Sequence, residues 1–136
     1  MPAARSPCVA IVDDDASFRD ALGGLLAAMG MEVLAFPSAE AFMAAGPHEA
    51  VFCLLLDMQM PGMDGLALLA ALQTQPWRMP VVFITSRLDP AFRERAMAAG
   101  ALECLAKPFQ PADLLRLLSA ARAIRGGGEP EAYTKV

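Results

Sequence analysis

Apolar positions along this chain come in two textures. Short unbroken runs occupy Cys8–Val12, Val51–Leu56 and Val81–Ile84, with weaker ones over Glu32–Phe36 and Leu102–Leu105. Runs of that length without polar alternation predict strands covered on both faces, as in the middle of a parallel sheet. Between them, apolar residues recur at helical spacing. Phe18, Leu22, Leu25, Leu26 and Met29 predict a first helix that stops at Gly30. Ser38 is placed to N-cap a short helix over 39–45, which Gly46 and Pro47 end. A third helix starts near Asp64 and buries Leu66, Leu69 and Leu72. The connector 76–80 follows, with Trp77 covering the sheet edge. Asp89 then reads as a cap with Pro90 in the first helical position, and Gly100 closes that helix. The last helix starts at Pro111 and turns Leu114, Leu115, Leu117, Leu118, Ala121 and Ile124 inward.

Strand and helix thus alternate five times. That order predicts an α/β fold: a doubly wound, five-stranded parallel sheet with right-handed crossovers and helices on both faces. One domain is expected over 1–125. The glycine-rich break at 126–130 makes 126–136 a flexible tail or the start of a linker to an output domain.

The polar residues gather where the strands stop. Asp13, Asp14 and Asp15 follow the first strand, Asp57 the third, Thr85 the fourth and Lys107 the fifth. Each has an ordinary explanation taken singly, as a strand terminator or a helix cap. Four strand ends on one edge of the sheet, around its topological switch point, make a site. Converging carboxylates repel unless a cation sits among them, and oxygen-only donors suit Mg²⁺ better than Zn²⁺ or Ca²⁺. Lys107 and Thr85 are suited to a tetrahedral oxyanion. An ionised Asp57 there is a candidate nucleophile toward phosphorus, giving an aspartyl phosphate.

Composition narrows the classes. With 136 residues, 56% of them hydrophobic and 19% charged, the chain is expected to build one well-packed core and not to be disordered. No apolar run is long enough to span a membrane, and no signal peptide is expected. A net charge of −4 argues against direct nucleic-acid binding. Cys8, Cys53 and Cys104 have neither metal nor disulfide spacing and read as buried small hydrophobes in a reducing, cytoplasmic setting. His48, beside Gly46 and Pro47, reads as solvent-exposed filler in a loop.

Four blocks together carry a resemblance to a known family: Val12–Asp15, Leu56–Gly65, Ile84–Ser86 and Ala106–Phe109. In that order and at strand ends, they resemble a two-component response-regulator receiver domain over roughly 8–124. Ser38–Phe42 further resembles the nitrogen-fixation type of receiver, often joined to a helix-turn-helix output domain. The resemblance implies a flavodoxin-like fold with strand order 2-1-3-4-5. It implies that Asp57 accepts phosphoryl from a sensor histidine kinase. Asp13, Asp14, Asp57 and the Gln59 backbone carbonyl would hold Mg²⁺, while Thr85 and Lys107 bind the phosphoryl oxygens. It also implies a cis Lys107–Pro108 peptide, leaves Asp15 as a helix cap, and points to a phosphorylation-dependent dimer through the face of helix four, strand five and helix five.

One departure stands out. Many receivers carry an aromatic residue three positions before the lysine; here it is Cys104. The switch would then rest on Thr85, Ser86, Arg87 and whatever Cys104 permits. Arg87 and Gln59, each two residues past a site residue, are candidates for tuning the phosphoryl lifetime. Two rival readings are a phosphohydrolase, which lacks a second acid at Gln59, and a phosphorylation-independent interaction module. A flavin site is disfavoured because acid, not a phosphate-cradling loop, follows the first strand.

Overall fold

The structure is a computed structural model and describes residues 7–124, so the expected tail at 126–136 lies outside the described residues. Its elements alternate as β1 (Cys8–Val12), α1 (Ala16–Ala28), β2 (Glu32–Phe36), α2 (Ala39–Ala44), β3 (Val51–Leu56), α3 (Gly65–Leu72), β4 (Val81–Thr85), α4 (Pro90–Ala98), β5 (Glu103–Ala106) and α5 (Pro111–Arg122). The five strands form one parallel sheet in the order β2-β1-β3-β4-β5. β1, β3 and β4 are buried along their whole length, which is why they read as unbroken apolar runs. β2, at the sheet edge, has no fully buried position and mixes exposed residues with half-buried Val33 and Phe36.

Successive side chains on a strand point to opposite faces. Ala10, Val12, Leu54, Leu56 and Phe83 therefore pack with α2, α3 and α4, around Phe42, Leu68, Leu72 and Ala96. Val9, Ile11, Leu55, Val82 and Ile84 face the other way, against Leu22 and Leu26 of α1 and Leu114 and Leu118 of α5. The sheet is thus covered by two helices on one side and three on the other. The helix starts follow local chemistry. Asp15, Ser38, Asp64 and Asp89 each accept a hydrogen bond from a first-turn N–H, and Pro90 and Pro111 occupy first-turn positions.

Three expectations are corrected. Leu115 is 41% exposed, because the buried stripe of α5 runs through Leu114, Leu118 and Ala121 and leaves Leu115 a quarter-turn off it. On α3, Leu68 is buried alongside Leu69 and Leu72, while Leu66 is only half-buried. His48 is not solvent-exposed filler. It is 6% exposed, its ring stacks on Phe42 at 4.1 Å, and its Nε2 lies 2.6 Å from the Phe42 carbonyl. Phe36 and Trp77 meet the same imidazole edge-on, so Trp77 belongs to this aromatic cluster. The three cysteines are free and buried as read, and burial pushes the Cys53 thiol up to about 12. Among the described residues no helix is long and apolar enough to cross a membrane.

Candidate functional site

Parallel strands deliver their C-terminal ends to a single edge, and here the ladder runs just past the strands. Asp13 N–H donates to the Phe36 carbonyl (3.2 Å), Asp57 N–H to the Val12 carbonyl (2.9 Å), and Lys107 N–H to the Thr85 carbonyl (2.8 Å). The backbone of each site residue is therefore held by its neighbouring strand. Gly65 lets the following loop close over this edge. A Cβ there would lie 2.5 Å from the Asp57 carbonyl oxygen and 2.8 Å from the Phe83 ring. The 58–64 loop is tied from outside as well, since Met63 N–H donates to Glu40 Oε2 at 2.9 Å.

Asp13 is the most engaged of the acids. Its Oδ1 accepts from Asp15 N–H at 2.9 Å, its Oδ2 accepts from Lys107 Nζ at 2.8 Å, and its carbonyl accepts from Arg19 Nη1 at 2.6 Å. Lys107 thus pairs with Asp13, and its ammonium also lies 4.0 Å from the centre of the Phe18 ring. Asp57 is 8% exposed and accepts a backbone hydrogen bond from Gln59 at 3.3 Å. Burial first, and then the charge of Asp13, push its carboxyl up to about 6 against the pull of the Gln59 N–H and Lys107. The group is still predominantly ionised at neutral pH and is more basic than a solvated aspartate. Thr85 is buried, and its Oγ1 accepts from Arg87 N–H at 3.2 Å.

Carboxylate oxygens of Asp13, Asp14 and Asp57 all lie within 4.8 Å of one another. This donor set fits a hard divalent cation. It is all oxygen, it carries an excess of negative charge that raises Asp57, and exposed Asp14 leaves one side open for water to complete a shell. Chemically the arrangement offers a buried, basic carboxylate flanked by two acids that could hold a cation, one ammonium and one hydroxyl.

The sequence profile of the response regulator receiver domain family matches residues 9–119. This chain belongs to that family. The receiver is 36% identical over 111 residues to the transcriptional regulatory protein FixJ of Bradyrhizobium diazoefficiens, a match covering 82% of this chain and 54% of that protein. It is likewise 36% identical over 119 residues to nodulation protein W of the same organism, covering 88% of this chain and 52% of that protein. The chain therefore spans about half the length of these curated relatives. Among solved structures, the response regulator StyR superposes with a TM-score of 0.82 at 37% identity, covering 96% of this chain and 66% of that one. FixJ-N gives 0.78 at 33%, covering 87% and 94%. The chemotaxis protein CheY4 of Vibrio cholerae gives 0.80 at 27%, covering 86% and 99%. The flavodoxin-like fold and strand order expected from the resemblance are those observed.

The residues singled out from sequence divide by position in this receiver. Asp13, Asp14 and Asp57 converge, Lys107 joins them through Asp13, and Thr85 is tied to Lys107 along the backbone. The Lys107–Pro108 peptide is cis and Asp15 caps α1. Gln59, Ser86 and Arg87 are exposed around the rim, whereas Cys104 is 5% exposed and packs on the core beneath α4. Three further residues escaped the sequence reading: Arg19 on the Asp13 carbonyl, Phe18 beneath the ammonium, and Glu40 on the loop. Helical spacing assigns Phe18 only to the inner face of α1. Its place one turn after the acidic run was the available signal.

Proposed function

We propose that this receiver is a phosphorylation-controlled switch, in which Asp57 takes the phosphoryl group from the phosphohistidine of a sensor histidine kinase in a Mg²⁺-dependent transfer. The observation that carries this reading is the convergence of three carboxylates with Lys107 held at Asp13. An Asp57 oxygen attacks phosphorus, the new O–P bond forms as the P–N bond breaks, and the electron pair leaves on the imidazole nitrogen, which takes up a proton. Lys107 exchanges part of its hold on Asp13 for a phosphoryl oxygen, and the Thr85 hydroxyl donates to another. Asp13, Asp14, Asp57 and the Gln59 carbonyl would hold Mg²⁺, which would supply neutralising charge at the phosphoryl oxygens.

Donation to the phosphoryl group re-aims the Thr85 hydroxyl, and Ser86 and Arg87, tied to it through the Arg87 N–H, move with it. Buried Cys104 leaves no aromatic rotamer to relay that motion, and the loop itself reshapes the surface of α4, β5 and α5. That surface then governs an output partner or a homodimer. The relative named as a transcriptional regulatory protein, of which this chain covers 54%, favours transcriptional output through a further domain. A cytoplasmic setting follows from such partners. The protein acts on itself and not on an external substrate.

The test is Mg²⁺-dependent incorporation of phosphoryl from acetyl phosphate into wild type and Asp57→Asn. Incorporation in wild type alone supports the reading. Absence of incorporation in wild type overturns it in favour of a phosphorylation-independent module, to which the core packing of Cys104 lends its one supporting observation.

A further inference from the structure

We infer that Phe18 is a positioning residue for Lys107, acting through the face of its ring. This rests on the phosphoacceptor reading above and assigns a role to a residue outside the acid, hydroxyl and ammonium set. The geometry is specific. The Lys107 ammonium lies 4.0 Å from the Phe18 ring centre while donating to Asp13 Oδ2 at 2.8 Å. Both the backbone and the ring of Phe18 are held. Phe18 N–H donates to the α1 cap Asp15 at 3.2 Å, and the ring meets Phe109 edge-on at 6.4 Å and 84°. Phe109 lies two residues beyond Lys107, so α1 and the β5–α5 loop share one aromatic contact across the site.

A lysine side chain has four rotatable bonds, and its ammonium prefers water to any single acceptor. Asp13 alone leaves it free to swing outward whenever that carboxylate is engaged elsewhere. An aromatic face attracts the cation without offering an acceptor that competes with an incoming oxyanion. Phe18 therefore keeps Lys107 within the site as it passes from Asp13 to the phosphoryl group. The effect belongs to the transfer step and not to encounter with the donor.

The experiment compares acetyl phosphate phosphorylation in wild type, Phe18→Leu, Phe18→Tyr, Lys107→Ala and the Phe18→Leu/Lys107→Ala double variant of the full chain. The Lys107 ε-methylene proton shifts are recorded by NMR in parallel. Phe18→Leu is expected to lower the maximal rate about two- to ten-fold with little change in half-saturating acetyl phosphate, and Phe18→Tyr to restore it. In the Lys107→Ala background the same change is expected to have no further effect. The ε-methylene protons are expected upfield in wild type and shifted back in Phe18→Leu. A rate loss that persists without Lys107 overturns the inference, as does an ε-methylene shift insensitive to Phe18→Leu. A Phe18→Leu rate equal to wild type does so too, with the phosphoacceptor reading intact. A wild type that incorporates nothing removes that reading, and this role with it.

Discussion

At the scale of single residues, the site is a place where folding and function pull in opposite directions. Carboxylate oxygens of Asp13, Asp14 and Asp57 lie within 4.8 Å of one another, and among the described residues Lys107 at Asp13 offsets them by a direct ion pair. The cost falls on Asp57, whose carboxyl is held well above the ordinary aspartate range by burial and by its neighbours. Removing that charge while keeping the shape should relieve the repulsion. Asp57→Asn is expected to raise the stability of chelator-treated protein at pH 7 by about 1–2 kcal/mol, the shift being discounted for solvent screening. Saturating Mg²⁺ should narrow or reverse the difference, because a cation taken up by the proposed site would favour the native wild type. Thermal melts with and without Mg²⁺ decide it, and an unchanged chelator-state melting temperature would contradict the repulsion argument.

At the scale of elements, the loop between β3 and α3 connects the acid site to α2. Glu40, in the first turn of α2, receives Met63 N–H at 2.9 Å, and the bond holds the Glu40 carboxyl below its usual range. Gly62 makes the approach practicable: its φ is +76°, and a Cβ there would lie 2.7 Å from Glu40 Oε2. Gln59 belongs to the same loop, so releasing its far side should loosen the backbone next to Asp57. Glu40→Ala is expected to weaken Mg²⁺ binding by up to about ten-fold in titration calorimetry, with Glu40→Gln nearer wild type. Equal affinities in all three proteins would make Glu40 a surface residue and nothing more. Glu40 also marks the boundary of what the sequence made legible. Asp57 and Thr85 were readable because the fully buried β3 and β4 leave unbroken apolar runs, and a polar residue at the end of one stands out; Lys107, after the half-buried β5, was readable through its block Ala106–Phe109. Contacts between residues distant in sequence leave no such mark, which hid Glu40 on Met63 and Phe18 under Lys107. His48 misled for a different reason. Its neighbours Gly46 and Pro47 signal a turn correctly, but they carry no information about which way the ring points.

At the scale of the whole molecule, the sheet core and α4 differ in how firmly they are held. β1 and β3 are buried throughout, whereas Ala96 is the only fully buried residue of α4. Besides Ala96, half-buried Phe92 packs against the core, and the remaining ties are polar and peripheral: an ion pair from Arg93 to Glu103 on β5, and Gln73 Nε2 donating to the Ala99 carbonyl at 3.1 Å. Burial opposes ionisation of Glu103, but Arg93 and the Cys104 N–H outweigh it and hold the carboxyl below its ordinary range. A carboxylate depressed in the folded state stabilises above its unfolded pKa, and that contribution is lost as pH falls through the folded value. Glu103→Gln should therefore melt slightly below wild type at pH 7, and the gap should close on acidification into the carboxylate range. A gap that persists at pH 3 would assign it to packing. The same weak fastening makes α4 the helix that can shift at least cost when its leading loop is pulled. That loop begins at Thr85, whose hydroxyl now holds Arg87 N–H, and it ends at Asp89, the α4 cap. If the hydroxyl turns to a phosphoryl oxygen, the Arg87 N–H that it holds follows it, and the cap is carried along. Hydrogen exchange with and without beryllofluoride and Mg²⁺ should then change across 86–99 while β1 and β3 stay protected. Change confined to 57–65 would show that the signal leaves by the Glu40 loop, and that α4 is held more firmly than its single buried alanine suggests.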